Sequence, residues 1–426
     1  MSYKVLIFPY NSEIGNEIIS SLKNNKTFKM IFASSDINNY SIKSNFHIQF
    51  LPYVYEDDFE VKLVDLIKEN NIDFIFPAHD DVCLKLSEIQ EKLSTSIIGQ
   101  SLQTNQIVRF KNRTYQYLYG LVPIGKTYDK LEEVEKFPIF VKPVRGQGSI
   151  MCEKLNSFHE LISFFESHKF EEFVIMEYLP GREFTVDCFS DNGKVIFSGA
   201  RTRDRTVSGI SKNSSSIKDN GLKQIFNKFS DLISHKLNMH GVWFYQMKED
   251  LNGQPKLLEV GPRISGTMCV NRAKGINFVE AALYQKLGYK INVSLNDIDI
   301  SVNRKLETEY FHNIQYSNLY IDFDDTLFLE EKFINPEIMK LIFHAKNNSI
   351  KIYLITKNTK QNLTCTLQKF GIPDIFDEII HINQDDKKYL YMESNSILID
   401  DSFRERQEAI ENGFMSFGLD NIGVLN

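Results

Sequence analysis

The chain has 426 residues, of which 42% are hydrophobic and 25% charged, a composition that excludes disordered and fibrous classes. Its 49 basic and 56 acidic residues leave a net charge of −7, which argues against sequence-independent binding to a nucleic-acid backbone. No apolar run approaches the roughly 20 residues that span a bilayer, and the start lacks a secretory cleavage site.

The length allows about three domains at roughly 150 residues each. Five scattered cysteines (Cys83, Cys152, Cys188, Cys269, Cys365) form no C-x-x-C pair. They predict a reducing cytoplasm, with each thiol a small buried hydrophobe and no disulfide framework or zinc knuckle. No solenoid repeat is present.

The first hundred residues alternate apolar runs with amphipathic stretches. Val5–Phe8, Met30–Ala33 and Phe74–Phe76 read as strands, and Ile14–Leu22 and Phe59–Ile67 as helices. Such alternation implies a parallel sheet with helices on both faces. From Phe137 onward the texture is α+β. Val174–Met176, Phe184–Phe189 and Val195–Ala200 predict an antiparallel meander, followed by a helix over Leu222–Leu237 and strands Gly241–Lys248 and Lys256–Val260. Residues 290–317 are polar and aperiodic, as a connection would be. Strand candidates Leu319–Asp322, Lys351–Ile355 and Ser396–Ile399 then make a second, smaller α/β domain.

Six features of the middle segment stand in one order. Lys111 lies in the basic stretch Arg109–Arg113, and Lys142 ends the apolar strand from Phe137. A turn with Gly146, Gly148 and Ser149 follows. Next come Glu177-Tyr178-Leu179 and Glu183, then Gln246 on a strand, and last Glu259 and Arg263. Two lysines supply mobile charges for phosphate oxygens. A glycine turn lets backbone N–H groups approach phosphates. Main chain at Glu177–Leu179 can meet an adenine edge, and Glu183 can accept from ribose hydroxyls. Gln246 and Glu259 are hard oxygen donors suited to magnesium, and Arg263 can stabilise charge on a transferring phosphoryl group.

That order resembles the ATP-grasp family over residues ~1–290. The resemblance implies a Rossmann-like pre-ATP-grasp domain (1–105) and an ATP-grasp α+β domain (106–300) holding ATP and Mg2+. It implies Lys111 and Lys142 on phosphates, the 145–150 loop as a lid, and Glu177, Tyr178, Leu179 and Glu183 around the nucleoside. Gln246 and Glu259 would hold magnesium, and Arg263 would steady an acyl phosphate before an amine or thiol attacks. The family pattern Glu-x-Asn-Pro-Arg is broken here, because Gly261 stands where the Asn would be and removes a ligand for a second magnesium.

Arg201, Arg203 and Arg205 alternate along an expected strand and would share one face, a fork set for a carboxylate substrate with Ser208 and Gly209 beside it. A solvated strand edge is the competing reading. In the first domain, Asn11–Gly15 and Pro77–Asp81 follow strands at the sheet's carboxyl edge, where open α/β sheets bind ligands. There Asp80 or Asp81 reads as a helix cap, and His79 or Asp80 as a group that touches substrate.

In the tail, Leu319-Tyr-Ile-Asp-Phe-Asp-Asp-Thr-Leu327 brings Asp322 and Asp324 to one side of a strand end. One can attack phosphorus and the other shuttle a proton. Thr356, Lys387 and Lys388, and Asp400 and Asp401 follow in order. This order resembles the haloacid dehalogenase-like (HAD) phosphatases over 318–426, after a linker at 301–317. The resemblance implies Asp322 as nucleophile, Asp324 as acid/base, Thr356 on the phosphate, and Lys387 or Lys388 neutralising an aspartyl-phosphate. It places a second Mg2+ on Asp322, Asp324, Asp400 and Asp401. Spacing leaves no room for a sizeable cap, so the HAD-like α/β domain is expected to be uncapped.

The combined expectation is a bifunctional enzyme that joins a small-molecule carboxylate to an amine and hydrolyses a phosphomonoester on that amine or on the amide product. The competing expectations are a small-molecule kinase and an ATP-binding scaffold whose activity Gly261 has removed. Neither nucleic acid nor membrane is expected as a partner, and oligomeric state is left open.

Overall fold

The computed structural model describes the chain apart from residues 1, 37–46, 147, 208, 306, 307, 309, 311 and 426. It forms two compact units, Met1–Lys305 and Leu306–Asn426.

The first unit opens with strands β1 (Tyr3–Phe8), β2 (Phe28–Ser34), β3 (Ile48–Phe50), β4 (Phe74–Pro77) and β5 (Ser96–Ile97), all parallel in the order β3-β2-β1-β4-β5. Between them run α1 (Glu13–Leu22), α2 (Phe59–Asn70) and α3 (Asp80–Ile89). Strand alternation explains the layering. Leu6 and Phe8 pack into one core with α2, while Val5 and Ile7 face another that takes in Val242, Ile264 and Phe278 from later in the chain. The order reverses between β1 and β4, so their carboxyl ends form the crevice where such sheets take ligands.

Helices α4 (Leu102–Val108) and α5 (Lys111–Leu118) lead to a small antiparallel sheet of β6 (Thr127–Tyr128), β7 (Ile139–Pro143), β8 (Glu153–Leu155) and β9 (Phe173–Glu177), ordered β6-β9-β7-β8, with α6 (Phe158–Ser167) against it. A larger sheet, ordered β11-β10-β14-β15, combines β10 (Glu183–Asp191) and β11 (Lys194–Thr202) with later strands. A hairpin of β12 (Arg205–Val207) and β13 (Ile210–Ser215) separates them from α7 (Asn220–Leu237), β14 (Gly241–Glu249) and β15 (Pro255–Gly261). Helix α7 lays Phe226, Ile233 and Leu237 onto this sheet beside Trp243 and Tyr245. Helices α8 (Cys269–Ala273) and α9 (Phe278–Lys286) follow, then β16 (Ser301–Asn303).

Three expectations are corrected here. Strand β9 pairs with β7 and β6 and not with β10, so the meander is divided between two sheets. The break is Pro180-Gly181, where the chain leaves one sheet for the other. Residues 301–303 are a strand paired to β13 and not linker, because the polar Ser-Val-Asn stretch can satisfy its backbone on that exposed edge. The thiols are not uniformly buried: Cys83 and Cys188 are, Cys152 and Cys269 are half-buried, and Cys365 is exposed.

The second unit is a five-stranded parallel sheet ordered β21-β20-β17-β22-β23. Its elements are β17 (Asn318–Asp322), a short hairpin of β18 (Phe328–Leu329) and β19 (Phe333–Ile334), α10 (Pro336–Asn347), β20 (Lys351–Thr356), α11 (Lys360–Lys369), β21 (Glu378–His381), β22 (Ser396–Ile399), α12 (Phe403–Glu411) and β23 (Met415–Phe417). Leu319 and Ile321 face one core and Tyr320 the other. The carboxyl ends of the three central strands, β20, β17 and β22, therefore lie side by side.

Among the described residues, no helix is long and apolar enough to cross a membrane.

Candidate active sites

In the first unit, one cavity of about 260 Å3 gathers side chains from both antiparallel sheets and from α5. Lys111 opens α5 and donates from Nζ to the Gly146 carbonyl at 3.0 Å. Lys142, on β7, is 5% exposed and donates to Tyr115 Oη at 2.5 Å and to the Leu258 carbonyl at 3.2 Å. Burial, with Lys111 nearby, lowers its pKa to about 7, and Glu259 only partly offsets this. The Gly148-Ser149 turn has positive φ and packs on Gly209, whose φ is +71°. A Cβ at Gly209 would meet Ser149 Oγ at 2.3 Å, so only glycine permits that approach.

The other expected nucleotide residues line the same cavity: Glu177, Tyr178, Leu179, Glu183, Gln246 and Glu259. Glu177 accepts from the Lys126 backbone N–H at 2.9 Å. Glu183 pairs with Arg203 at 2.7 Å and Lys248 at 3.6 Å. Gln246 and Glu259 are register partners on β14 and β15, so their oxygens project side by side. Such a pair fits a hard divalent cation.

An adjoining cavity of about 400 Å3 shares Gln246, Glu259 and Arg203 with the first, and Arg201, Arg263 and Arg304 also line it. The three alternating arginines do not share a face, because β11 ends at Thr202. Arg201 is buried against Asp187 at 2.9 Å and bonded to Ser214 and Ser265. Arg203 also donates to the Gly209 carbonyl at 2.6 Å. Arg205 is exposed on β12 and lines neither cavity. Ser208 lies outside the described residues.

Arg263 meets Asp80 at 2.8 Å, and its guanidinium lies 5.3 Å from the centre of the Phe244 ring. Burial works against ionisation of Asp80, but Arg263 and Arg109 outweigh it and hold its pKa below the usual range. Asp81, bound by Arg109 at 2.8 Å and also by Arg145, is likewise held down, to about 2, against the effect of burial. The helix cap falls to neither carboxylate. His79 caps α3, its Nδ1 accepting from the Asp81 N–H at 3.1 Å, because the helix begins at Asp80 and the extended residue before it takes the cap position. Gly261 sits opposite Phe244, whose ring would lie 2.2 Å from a Cβ there. The space of a side chain at 261 is thus occupied by a phenyl ring, and glycine itself brings no side-chain oxygen to this position.

Residues 169–316 match a family model described as ATP-grasp in the biosynthetic pathway with Ter operon. With the solved structures below, this match shows an ATP-grasp-like fold for the first unit. Curated relatives include the arginine-specific carbamoyl phosphate synthase large chain of Bacillus subtilis, 26% identical over 261 residues, covering 56% of this chain and 25% of that one. The carbamoyl phosphate synthase large chain of Caldanaerobacter subterraneus is 31% identical over 229 residues, covering 49% and 21%. The chain thus spans about a quarter of the length of the curated relatives it matches. Among solved structures, a biotin carboxylase–β,γ-ATP complex from Campylobacter jejuni superposes with TM-score 0.57 at 16% identity, covering 69% of this chain and 72% of that one. An L-amino acid ligase from Bacillus licheniformis gives 0.53 at 20%, covering 67% and 74%. These likenesses establish the fold.

Outside the ATP-grasp fold, the second unit has its own cluster. Asp322 ends β17, Thr356 ends β20, and Asp400 follows β22. Asp322, Asp400 and Asp401 can each turn an oxygen to within 4.8 Å of the others, the spacing of a shared cation. Asp324 is outside that cluster and accepts from Asn358 Nδ2 at 2.7 Å. Lys388 reaches both Asp322, at 2.5 Å, and Asp400, at 2.6 Å. Lys387 turns to Glu408 on α12 instead. Burial raises the pKa of Asp322 and of Asp400, with Lys388 opposing. Thr356 Oγ1, fully buried, accepts from the Asn358 N–H at 2.9 Å, and Thr326 Oγ1 accepts from the Asp401 N–H at 2.9 Å.

Arg304, Asp187, Phe244, Asn358 and Thr326 were not singled out by sequence reasoning. Thr326 sits inside the quoted aspartate motif, and Asn358 lies two residues past Thr356, so both were within reach of it.

Proposed function

We propose that the first unit is an ATP-dependent carboxylate–amine ligase and the second a magnesium-dependent phosphomonoester hydrolase. The observation that carries the ligase reading is the junction of the two cavities at Gln246 and Glu259, with phosphate-type lysines on one side and arginines on the other. In this reading ATP occupies the first cavity, its phosphates on Lys111 and Lys142 under the Gly146–Ser149 turn. Gln246 and Glu259 would hold the Mg2+, which supplies charge neutralisation between phosphates. A substrate carboxylate oxygen attacks the γ-phosphorus, ADP leaves, and Arg263 steadies the acyl phosphate. The amine nitrogen then attacks the acyl carbon, expelling phosphate and losing a proton to give an amide.

In the second unit, Asp322 attacks phosphorus while Asp324 protonates the leaving alkoxide. Asp324 then takes a proton from the water that hydrolyses the aspartyl-phosphate. Lys388 offsets the charge of that centre, and Asp322, Asp400 and Asp401 would hold the Mg2+, which supplies further neutralisation there. Tethering such a site to a ligase raises the local concentration of a shared, phosphorylated intermediate.

A screen of carboxylate and amine pairs for ATP-to-ADP conversion, with product masses recorded, tests the proposal. The Asp322→Asn protein should accumulate a product about 80 Da heavier, one HPO3 group, than the wild-type product. Equal masses would remove the shared-substrate link. A second reading, nucleotide binding without turnover, is favoured by Phe244 filling the space beside Gly261. ATP binding with no ADP formed across the screen would select it.

A further inference from the structure

Asp322, Asp324, Asp400 and Asp401 stand together at the carboxyl edge of the second unit's sheet, and buried groups hold all but one of them. Lys388 bonds Asp322 and Asp400, and the buried Thr326 hydroxyl donates to Asp401 Oδ1 at 3.3 Å. Asp324 is different. It lies on the turn after β17, where the Leu327 and Phe328 N–H groups close back on the Phe323 carbonyl at 3.1 and 2.8 Å, so its backbone is fixed while its side chain is exposed. Its one side-chain partner among the described residues is Asn358, whose Nδ2 donates to Asp324 Oδ1 at 2.7 Å. An exposed carboxylate spreads over several rotamers, and a single well-held donor is enough to select one.

Asn358 is well held. Its backbone N–H donates to Thr356 Oγ1 at 2.9 Å, its carbonyl accepts from His381 Nδ1 at 3.3 Å, and its Oδ1 accepts from Asn362 Nδ2 at 3.3 Å. These bonds tie it to the ends of β20 and β21 and to α11. The orientation of the amide follows from its partners. A carboxylate only accepts, so Nδ2 must face Asp324, and Oδ1 is left for Asn362. The donor also sorts the two oxygens of Asp324. Oδ1, which receives the N–H, is the carbonyl oxygen of the neutral acid, and the transferable proton belongs to Oδ2.

We propose that Asn358 is the positioning residue for Asp324, holding it in the rotamer from which it protonates the leaving alkoxide. As Asp322 attacks phosphorus and the bond from phosphorus to the alcohol oxygen breaks, that oxygen takes the proton from Asp324 Oδ2. Asp324 is left as the carboxylate that Asn358 continues to hold. The inference rests on the hydrolase reading of the second unit, and it gives Asn358 no contact with the substrate.

The test is the first turnover, followed by rapid quench with the full chain and Mg2+ in excess over 2-phenylethyl phosphate or p-nitrophenyl phosphate. p-Nitrophenolate leaves without a proton and an alkoxide does not, so the alkyl ester alone reports on Asp324 in this step. Asn358→Leu should slow release of 2-phenylethanol at least about tenfold more than release of p-nitrophenol, within the limit of about 10²–10⁴-fold set by losing the acid itself in Asp324→Asn. Adding Asn358→Leu to Asp324→Asn should cost no more than about twofold further, because nothing remains to be positioned. Equal losses on the two esters, losses that multiply in the double variant, or a wild-type rate in Asn358→Leu would each refute the positioning and keep the hydrolase. Release of neither alcohol by the wild type would refute the hydrolase reading instead. The positioning is then read from the nitrogen-15 and proton resonances of the Asn358 side-chain amide, identified by their loss in Asn358→Leu. Asp324→Ala should shift them, and unmoved resonances would refute the bond.

Discussion

If ATP sits on Lys142 as proposed, its binding is a proton-linked event. The Lys142 ammonium is buried, faces Lys111, and has the Tyr115 hydroxyl and the Leu258 carbonyl as neutral partners, with Glu259 as a partial counter-charge. Its pKa without nucleotide is about 7, so about half the lysine is charged at pH 7 and about a tenth at pH 8. A bound triphosphate favours the charged form. The sign follows: affinity falls as pH rises through 7, because an increasing share of the protein must first take up a proton. Apparent affinity for ATP should drop about fivefold from pH 7 to 8 and about tenfold from 8 to 9. At pH 8 each binding event should take up about 0.9 proton. Calorimetry at pH 8 in two buffers of different ionisation enthalpy measures that uptake directly. The Lys142→Met protein should bind more weakly and take up none. Zero net uptake by the wild type at pH 8, with normal affinity, would refute the assignment of Lys142 as a phosphate ligand that changes charge on binding.

Other consequences follow from packing and pairing. Gly261→Asn drives a side chain into the Phe244 ring and should cost about 1–3 kcal/mol in denaturant unfolding. Combining it with Phe244→Ala should recover part of that loss, and an undiminished single variant would contradict the packing account. Lys388→Met leaves Asp322 and Asp400 buried without their cation and should destabilise the second unit by about 3–5 kcal/mol. Lys387→Met, whose half-buried partner Glu408 keeps Arg404 at 2.9 Å, should unfold nearly like wild type, and equal losses in the two variants would show that they are misassigned. Asp322→Asn should abolish hydrolysis of p-nitrophenyl phosphate at unchanged fold, and retained turnover would remove Asp322 as nucleophile.

Where local pattern decides structure, the sequence was readable. The strands at Val5, Phe74, Leu319 and Ser396 are short apolar runs bounded by helical periods, and parallel pairing follows from that alternation. The same locality placed Lys142 and Asp322 at strand ends. What escaped depends on partners distant in the chain. Nothing near Val174 says that it pairs with β7 and not β10, and Ser301–Asn303 becomes a strand only because β13 offers an edge. Arg304 was hidden in that stretch for the same reason. Lys387 and Lys388 differ only in which side of their turn faces Asp322, a matter of backbone direction that composition does not carry. The arginine set at 201–205 was expected on one face because a straight strand was assumed, and the chain leaves β11 after Thr202.

The central claim, that a carboxylate is activated by phosphoryl transfer in the first unit, is tested most directly with an 18O-labelled carboxylate. Once the screen yields a substrate pair, the inorganic phosphate released during amide formation is analysed by mass. Transfer of one label from carboxylate to phosphate is the predicted result, because the acyl phosphate keeps the attacking oxygen when the amine expels it. Unlabelled phosphate, or ATP consumed to give a stable phosphorylated product with no amide, would contradict the account and leave a kinase in its place.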